Sequence, residues 1–487
     1  MPRGHITVRD DATSFELREL FFSTTNTRGI IGACNNVFAR LSGYQTDELI
    51  GAAHSIVRHP DMPSSVFRLF WKRLNAGKPI AAYVKNLASD GTYYWVMAMA
   101  TPVDGGFLSV RLKPTSDRFA EVQRLYAEML SLESASRDRG ESKDVAMDCS
   151  MEHMMQGLKV FGHETYESFM RDALVREVTQ RQTVLRQERQ TRSEAKFDTA
   201  CFDESSHLTG YELLLDDLVN SGESCNTHLN EMLASLDDVD AFQTSFHQIH
   251  EVLLEESDVI GILAINAVLS ADSAGQEVIS QILSQTKHET QTALAELLHL
   301  AAKLNDELNE FSFDVAIASL QNEITLTYAR EIHRAFNRDP SLGDSVLHEN
   351  SELISMMMQQ CDTRIAALSR QIEQAEELFW KPVSETNRLC RGARTLDYVR
   401  LAGKKEACRL GSEHSFRTLF DTLQPRIDAI LEGCQTIQSQ VSTSVRALSN
   451  MRQTKVLLDA QQSQRDSIQR RLRMSRLAES GSELVTC

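Results

Sequence analysis

The chain has 487 residues, room for two or three domains rather than one core. Aromatic residues make up 7%, there are only 22 Gly and 9 Pro, and the formal net charge is −17. That balance favours long helices over a large sheet and excludes a phosphate-backbone partner for the chain as a whole; nucleic acid is not expected. The basic run "REVTQRQTVLRQERQTRSEAK" has Glu interleaved and reads as a solvated helix face. Nine Cys are scattered without C-x-x-C or any zinc-type spacing. There is no signal-peptide core and no run near the roughly 18 apolar residues of a membrane span, so a cytoplasmic, reduced protein is expected.

In chain order, "LFFSTTNTRGIIGACNNVFARLSGY" predicts a strand, a turn at Asn26 to Gly29, a second strand and a short helix. "AAYVKNLASDGTYYWVMAMATPVDGGFLSVRLKP" predicts three more strands, with hairpin turns at Ser89-Asp90-Gly91 and Asp104-Gly105-Gly106. The order is that of a five-stranded antiparallel sheet with helices on one face, able to enclose a pocket. After Pro114 the period changes. "DRFAEVQRLYAEMLSLESA" starts a helix, and "SRDRGESKDVAMDCS" (136–150) reads as a flexible joint.

From about Met151 onward the pattern is helical. Leu236, Val239, Phe242, Phe246 and Ile249 begin one apolar stripe. Leu423, Ile427, Ile430, Cys434, Ile437, Val441, Val445, Leu448 and Met451 form a heptad-like seam. Helix breaks are expected near 336–344, 380–387 and 410–415, and Pro425 marks a first turn or a kink. The fold class is therefore α+β over residues 15–115, a helix and flexible linker over 116–150, and an all-α elongated bundle or coiled coil over 151–480.

Between the second strand and the meander lies "SIVRHPDMPSSVFRLFWKRLNAGKPI". It reads as a loop closed by a helix, with Asp61 or Ser64 as cap and Val66, Phe67, Leu69, Phe70 and Leu74 facing a core. Arg58, His59 and Asp61 also make a ligand-holding set of cation, imidazole and carboxylate. A fold-stabilising network of the same three residues is the alternative.

The segments "NNVFARLSGYQTDELIG", "VRHPDMP", "LNAGKP", "VKN", "DGTYYWV" and "LSVRLKP", in that order, resemble the PAS sensor domain, in its flavin-binding version from bacterial aerotaxis receptors. The resemblance implies a PAS domain holding flavin adenine dinucleotide (FAD), with Asn35, Arg58, His59, Asp61 and Asn86 at cofactor-associated positions. Arg58 would make charge-assisted bonds to a phosphate, Asn86 would meet a flavin or adenine edge, and Asp61 would orient the Arg-His pair. Ile80 stands where the family commonly has Trp. That removes a stacking surface, and two outcomes are open: Tyr83 partly compensates, or the pocket holds no cofactor.

"SDVIGILAINAVLSADSAGQE" (257–277) resembles the hairpin tip of methyl-accepting chemotaxis receptors, without the Gly- and Arg-rich turn that follows there. The implied partners are a second copy of the chain, as a homodimer, and a chemotaxis kinase with its coupling adaptor or another signalling protein. Met356 to Met358 read as adaptable core. His residues, His247 and His250 included, have no metal-ligand spacing. No Gly-rich phosphate loop, kinase box or G-x-S-x-G is present, so no enzymatic activity is expected. The expectation is a signalling protein that senses redox state, oxygen or a small ligand, with a non-sensing scaffold as the alternative.

Overall fold

The computed structural model describes residues 6–195, 213–236, 255, 274–338, 343–409 and 414–480. Strands β1 (Phe21–Asn26), β2 (Ile31–Cys34), β3 (Ile80–Leu87), β4 (Tyr93–Val103) and β5 (Gly106–Leu112) form one antiparallel sheet in the order β2-β1-β5-β4-β3. This is the expected five-stranded sheet. Its two meander turns need left-handed backbone: Gly91 has φ +89° and Gly105 has φ +76°. At Gly91 a Cβ would also fall 2.1 Å from the Thr7 carbonyl oxygen, so no side chain fits there.

Helices α1 (Asn36–Ser42), α2 (Thr46–Leu49) and α3 (Ser64–Asn75), with a 3₁₀ turn at His54–Val57, cross one face of the sheet. α3 buries Val66 and Leu74 as its spacing predicts. Its cap is not Asp61 or Ser64. Glu133, on α4 (Asp117–Asp138), accepts from the backbone N–H groups of Ser64 (2.9 Å) and Ser65 (3.1 Å), and from the Ser65 and Ser150 hydroxyls. Burial alone would raise the Glu133 pKa, but these four donors hold it below the ordinary value.

The expected flexible joint at 136–150 is instead the end of α4, a turn with Gly140 at φ +76°, and the start of α5 (Lys143–Val160). Its polarity misled because Ser136 and Ser150 are buried hydrogen-bonding residues rather than solvated ones. α6 (Tyr166–Ala195) follows and covers the second face of the sheet with α4. On that face Trp95 packs against Phe119 and Tyr126. Glu177 of α6, fully buried, accepts from Thr115 N (2.6 Å), Ser116 N (3.1 Å), the Ser116 hydroxyl (2.8 Å) and the Tyr83 hydroxyl (2.8 Å).

The remaining helices are α7 (213–236), α8 (Ala274–Arg338), α9 (Gly343–Arg409) and α10 (His414–Ser480). By packing, the chain falls into two compact units. One compact unit is Met1–Leu233 with Ser312–Ala367 and Val456–Cys487; the other is Ala234–Phe311 with Leu368–Lys455.

In the first unit the sheet meets α8 directly. Phe22 packs edge-on to Tyr328 at 5.0 Å, and Gln321 Nε2 donates to Thr101 Oγ1 at 3.3 Å. Arg181 of α6, 1% exposed, forms a two-pronged ion pair with Glu323 (2.7 and 2.8 Å) and donates to the carbonyls of Leu17 and Arg18. Deeper among the helices, buried Arg465 pairs with Asp362 at 2.5 Å and with Asn322 at 3.0 Å. Met357 and Met358 are core, as expected.

In the second unit the seam holds: Ile427, Ile430, Cys434, Ile437, Leu448 and Met451 are buried. Ser444 is buried beside half-buried Val445, so the stripe drifts there. Gln438–Asn387, Arg452–Glu376 and Lys455–Glu373 contacts run in opposite sequence directions, making α9 and α10 antiparallel over this stretch. The expected break at 380–387 is absent, since α9 is continuous through it, and Pro425 lies inside α10, past its first turn. The stripe from Val239 onward and the tip-like residues 257–273 lie outside the described residues. Among the described residues no helix is long and apolar enough to cross a membrane.

Candidate functional site

Strand alternation gives the face toward α3 its chemistry. Phe21, Ser23 and Thr25 of β1, Val84 and Asn86 of β3, and Ser109 and Arg111 of β5 share it. With Phe67, Phe70 and Trp71 of α3, most of them line an internal cavity of about 130 Å³.

Arg111 is 3% exposed. It donates through Nη2 to His54 Nε2 (2.6 Å) and Ser23 Oγ (3.0 Å), makes a long contact from Nη1 to the Ser109 carbonyl (3.4 Å), and lies against the Phe21 and Phe38 rings. Among the described residues no carboxylate contacts it. Burial lowers its pKa to about 10, which leaves it cationic at neutral pH. Burial first, then Arg111, push His54 down to about 3. His54 is therefore a neutral acceptor, with its proton assigned to Nδ1 by the Arg111 contact.

Of the five residues expected at a cofactor, two line the cavity. Arg58 does so with its guanidinium 4.3 Å above the Phe67 ring, while its backbone bridges to Asn86. Asn86 is 3% exposed, and its Nδ2 makes no hydrogen bond. Tyr94, opposite it across the strand pair, also has a buried, unsatisfied hydroxyl.

The other three do other work. Asn35 ties α1 to β1, donating to the Leu20 carbonyl (3.1 Å) and accepting from Phe22 N (3.2 Å). Fully buried His59 accepts through Nδ1 from Asp61 N (3.0 Å), leaves Nε2 without a partner, and stands edge-on to Tyr93. Burial and then Lys85 hold its pKa near 4, against the opposing pull of Asp61. The exposed Asp61 pairs with Lys85 Nζ at 3.1 Å. His59 and Arg58 also line an open groove of about 730 Å³ with Glu133, Arg137 and Lys143. The expected Arg-His-Asp set thus does not converge on the cavity.

Tyr83 does not compensate for Ile80, because it sits on the opposite face, bonded to Glu177. The aromatic wall comes from Trp71, edge-on to Phe107 at 5.7 Å. Sequence reasoning missed Arg111 and His54. The signal was present in "LSVRLKP": Leu108, Val110 and Leu112 alternate with Ser109 and Arg111, placing a charge in a strand with both faces covered.

FAD meets two tests here. The polar groups suit it, since Asn86 has a free amide donor and Arg58 and Arg111 supply cations. The volume does not: a cavity of roughly 150 Å³ holds one benzene ring, and drug-sized ligands need about 300–1,000 Å³. At about 130 Å³ the cavity falls short of a three-ring flavin. Among the described residues no group of three or more His, Cys, Asp or Glu is placed to hold a metal.

Comparison with known proteins bears on the same residues. The PAS fold family matches residues 32–110. The aerotaxis receptor of Escherichia coli K12 is 40% identical over 109 residues, covering 21% of this chain and 22% of the receptor. The biofilm dispersion protein BdlA of Pseudomonas aeruginosa is 32% identical over 112 residues, covering 22% of this chain and 27% of BdlA. This chain therefore spans under a third of the length of either curated relative. A light-state structure of the blue-light photoreceptor Aureochrome1 LOV covers 21% of this chain and 85% of its own at 19% identity, with a TM-score of 0.19. The sheet, the cavity and helices α1–α3 are a PAS domain in the N-terminal part of a largely helical chain.

Proposed function

We propose that this chain is a cytoplasmic signal-transduction protein in which the PAS domain senses redox state, oxygen or a small ligand and its helices carry the response, as in aerotaxis and chemotaxis receptors. The supporting observation is the sheet itself. One face walls the cavity, while the other carries Tyr83 and Phe22, which touch α6 and α8. A shift of β3 or β5 around a ligand reaches Glu177, and through it the exit segment at Thr115 and Ser116, without crossing solvent. Homodimerisation and docking to a chemotaxis kinase or its coupling adaptor belong to this reading; catalysis does not. FAD enters it through the motif resemblance to flavin-binding PAS domains, and the cavity would have to widen around Trp71 to take it. A scaffold that senses nothing is the competing reading. It draws on the buried Arg181–Glu323 pair, which would hold the PAS domain in one place.

The test is hydrogen exchange at residues 110–120 and 170–185, in air and under dithionite, with the absorption spectrum of the natively purified protein. Sensing predicts altered protection with redox state or with a bound ligand. Unchanged exchange under every condition, including with each ligand that binds, favours the scaffold.

A further inference from the structure

Resting on that sensor reading, we propose that the PAS cavity binds a single-ring aromatic carboxylate, of which benzoate is the simplest form. Its carboxylate would lie on Arg111, and its ring among Phe67, Phe70, Trp71 and Phe107. Volume comes first: about 130 Å³ admits one ring, not three. Charge comes second. Arg111 is 97% buried, and the groups around it are a neutral imidazole, a hydroxyl, a carbonyl and two rings. A buried cation without a counter-ion is costly, and an anionic ligand relieves that cost where a neutral one does not. Arg58, held over Phe67, adds a second positive charge to the same cavity.

The experiment titrates the full chain with benzoate and with its neutral isostere benzamide by calorimetry, and follows thermal stabilisation. The expected result is one benzoate per chain, with benzamide roughly 10- to 100-fold weaker, the difference a charge-assisted pair makes. Arg111→Gln removes benzoate binding. Asn86→Asp adds a negative charge to the cavity wall and weakens benzoate about tenfold or more in a chain whose circular dichroism matches wild type; it serves where Arg111→Gln fails to fold. Equal affinity for benzoate and benzamide overturns the proposal, as does the absence of any benzoate binding at millimolar concentration. A yellow protein carrying flavin and indifferent to benzoate defeats this inference and leaves the sensor reading standing. A colourless protein that ignores benzoate and shows no change in exchange under any condition defeats both.

Discussion

On the face of the PAS sheet that meets α6, Glu177 is fully buried and accepts hydrogen bonds from two backbone amides and three hydroxyls. On the cavity face, Arg111 is almost as deeply buried, yet among the described residues no carboxylate reaches it. The first arrangement is complete and locks α6 to the chain leaving β5. The second is incomplete, as a wall waiting for a ligand is incomplete. Unsatisfied polar groups in an otherwise well-paired core mark a site, whereas satisfied ones mark a joint.

The strongest way to break this contrast is at the joint. Glu177→Ala takes the acceptor from five donors in a dry place and should cost about 3–5 kcal/mol by urea unfolding. A loss under 1 kcal/mol would mean that water replaces the carboxylate and the joint is not dry.

Acidification should weaken the PAS domain next. The folded pKa values of His54 and His59, near 3 and 4, lie below the ordinary 6.5, so the unfolded chain takes up protons first. Stability is complete above about pH 6.5 and falls toward pH 4, by up to about 1.4 kcal/mol per pH unit for each histidine. His54→Asn should flatten that slope in a pH series of unfolding curves; an unchanged slope would mean that His54 is hydrated.

The smallest effect belongs to Asp61. Its pair with Lys85 is exposed, so Asp61→Asn should shift stability by about 0.5 kcal/mol or less and leave benzoate titration unaltered. A large change in ligand affinity would return Asp61 to the binding site.

Much of the PAS sheet was legible because its signals are short-range. Gly91 and Gly105 mark turns that only left-handed backbone can make, and β-branched and aromatic runs lie between them. The α10 seam was legible for the same reason, since Ile427 to Ile437 repeat at helical spacing. The candidate site was legible in part. Arg58 and Asn86 stood out in their motifs, while His59 and Asp61 sat beside Arg58 in sequence but turned elsewhere in space. The 136–150 segment failed for a related reason: polar residues between helices look like a joint until a partner for them is known.

What the sequence determined by itself were strand and helix periods, turn positions and the order of the elements along the chain, all properties of a few neighbouring residues. Tertiary structure alone decided which carboxylate caps α3, from 69 residues away, and which clamps Ser116, from 61 residues away. It also decided that Tyr83 faces α6 and that Arg111 faces a cavity without a counter-ion among the described residues. Burial and partner choice depend on what the rest of the chain brings to each face, and the local pattern carries no record of that.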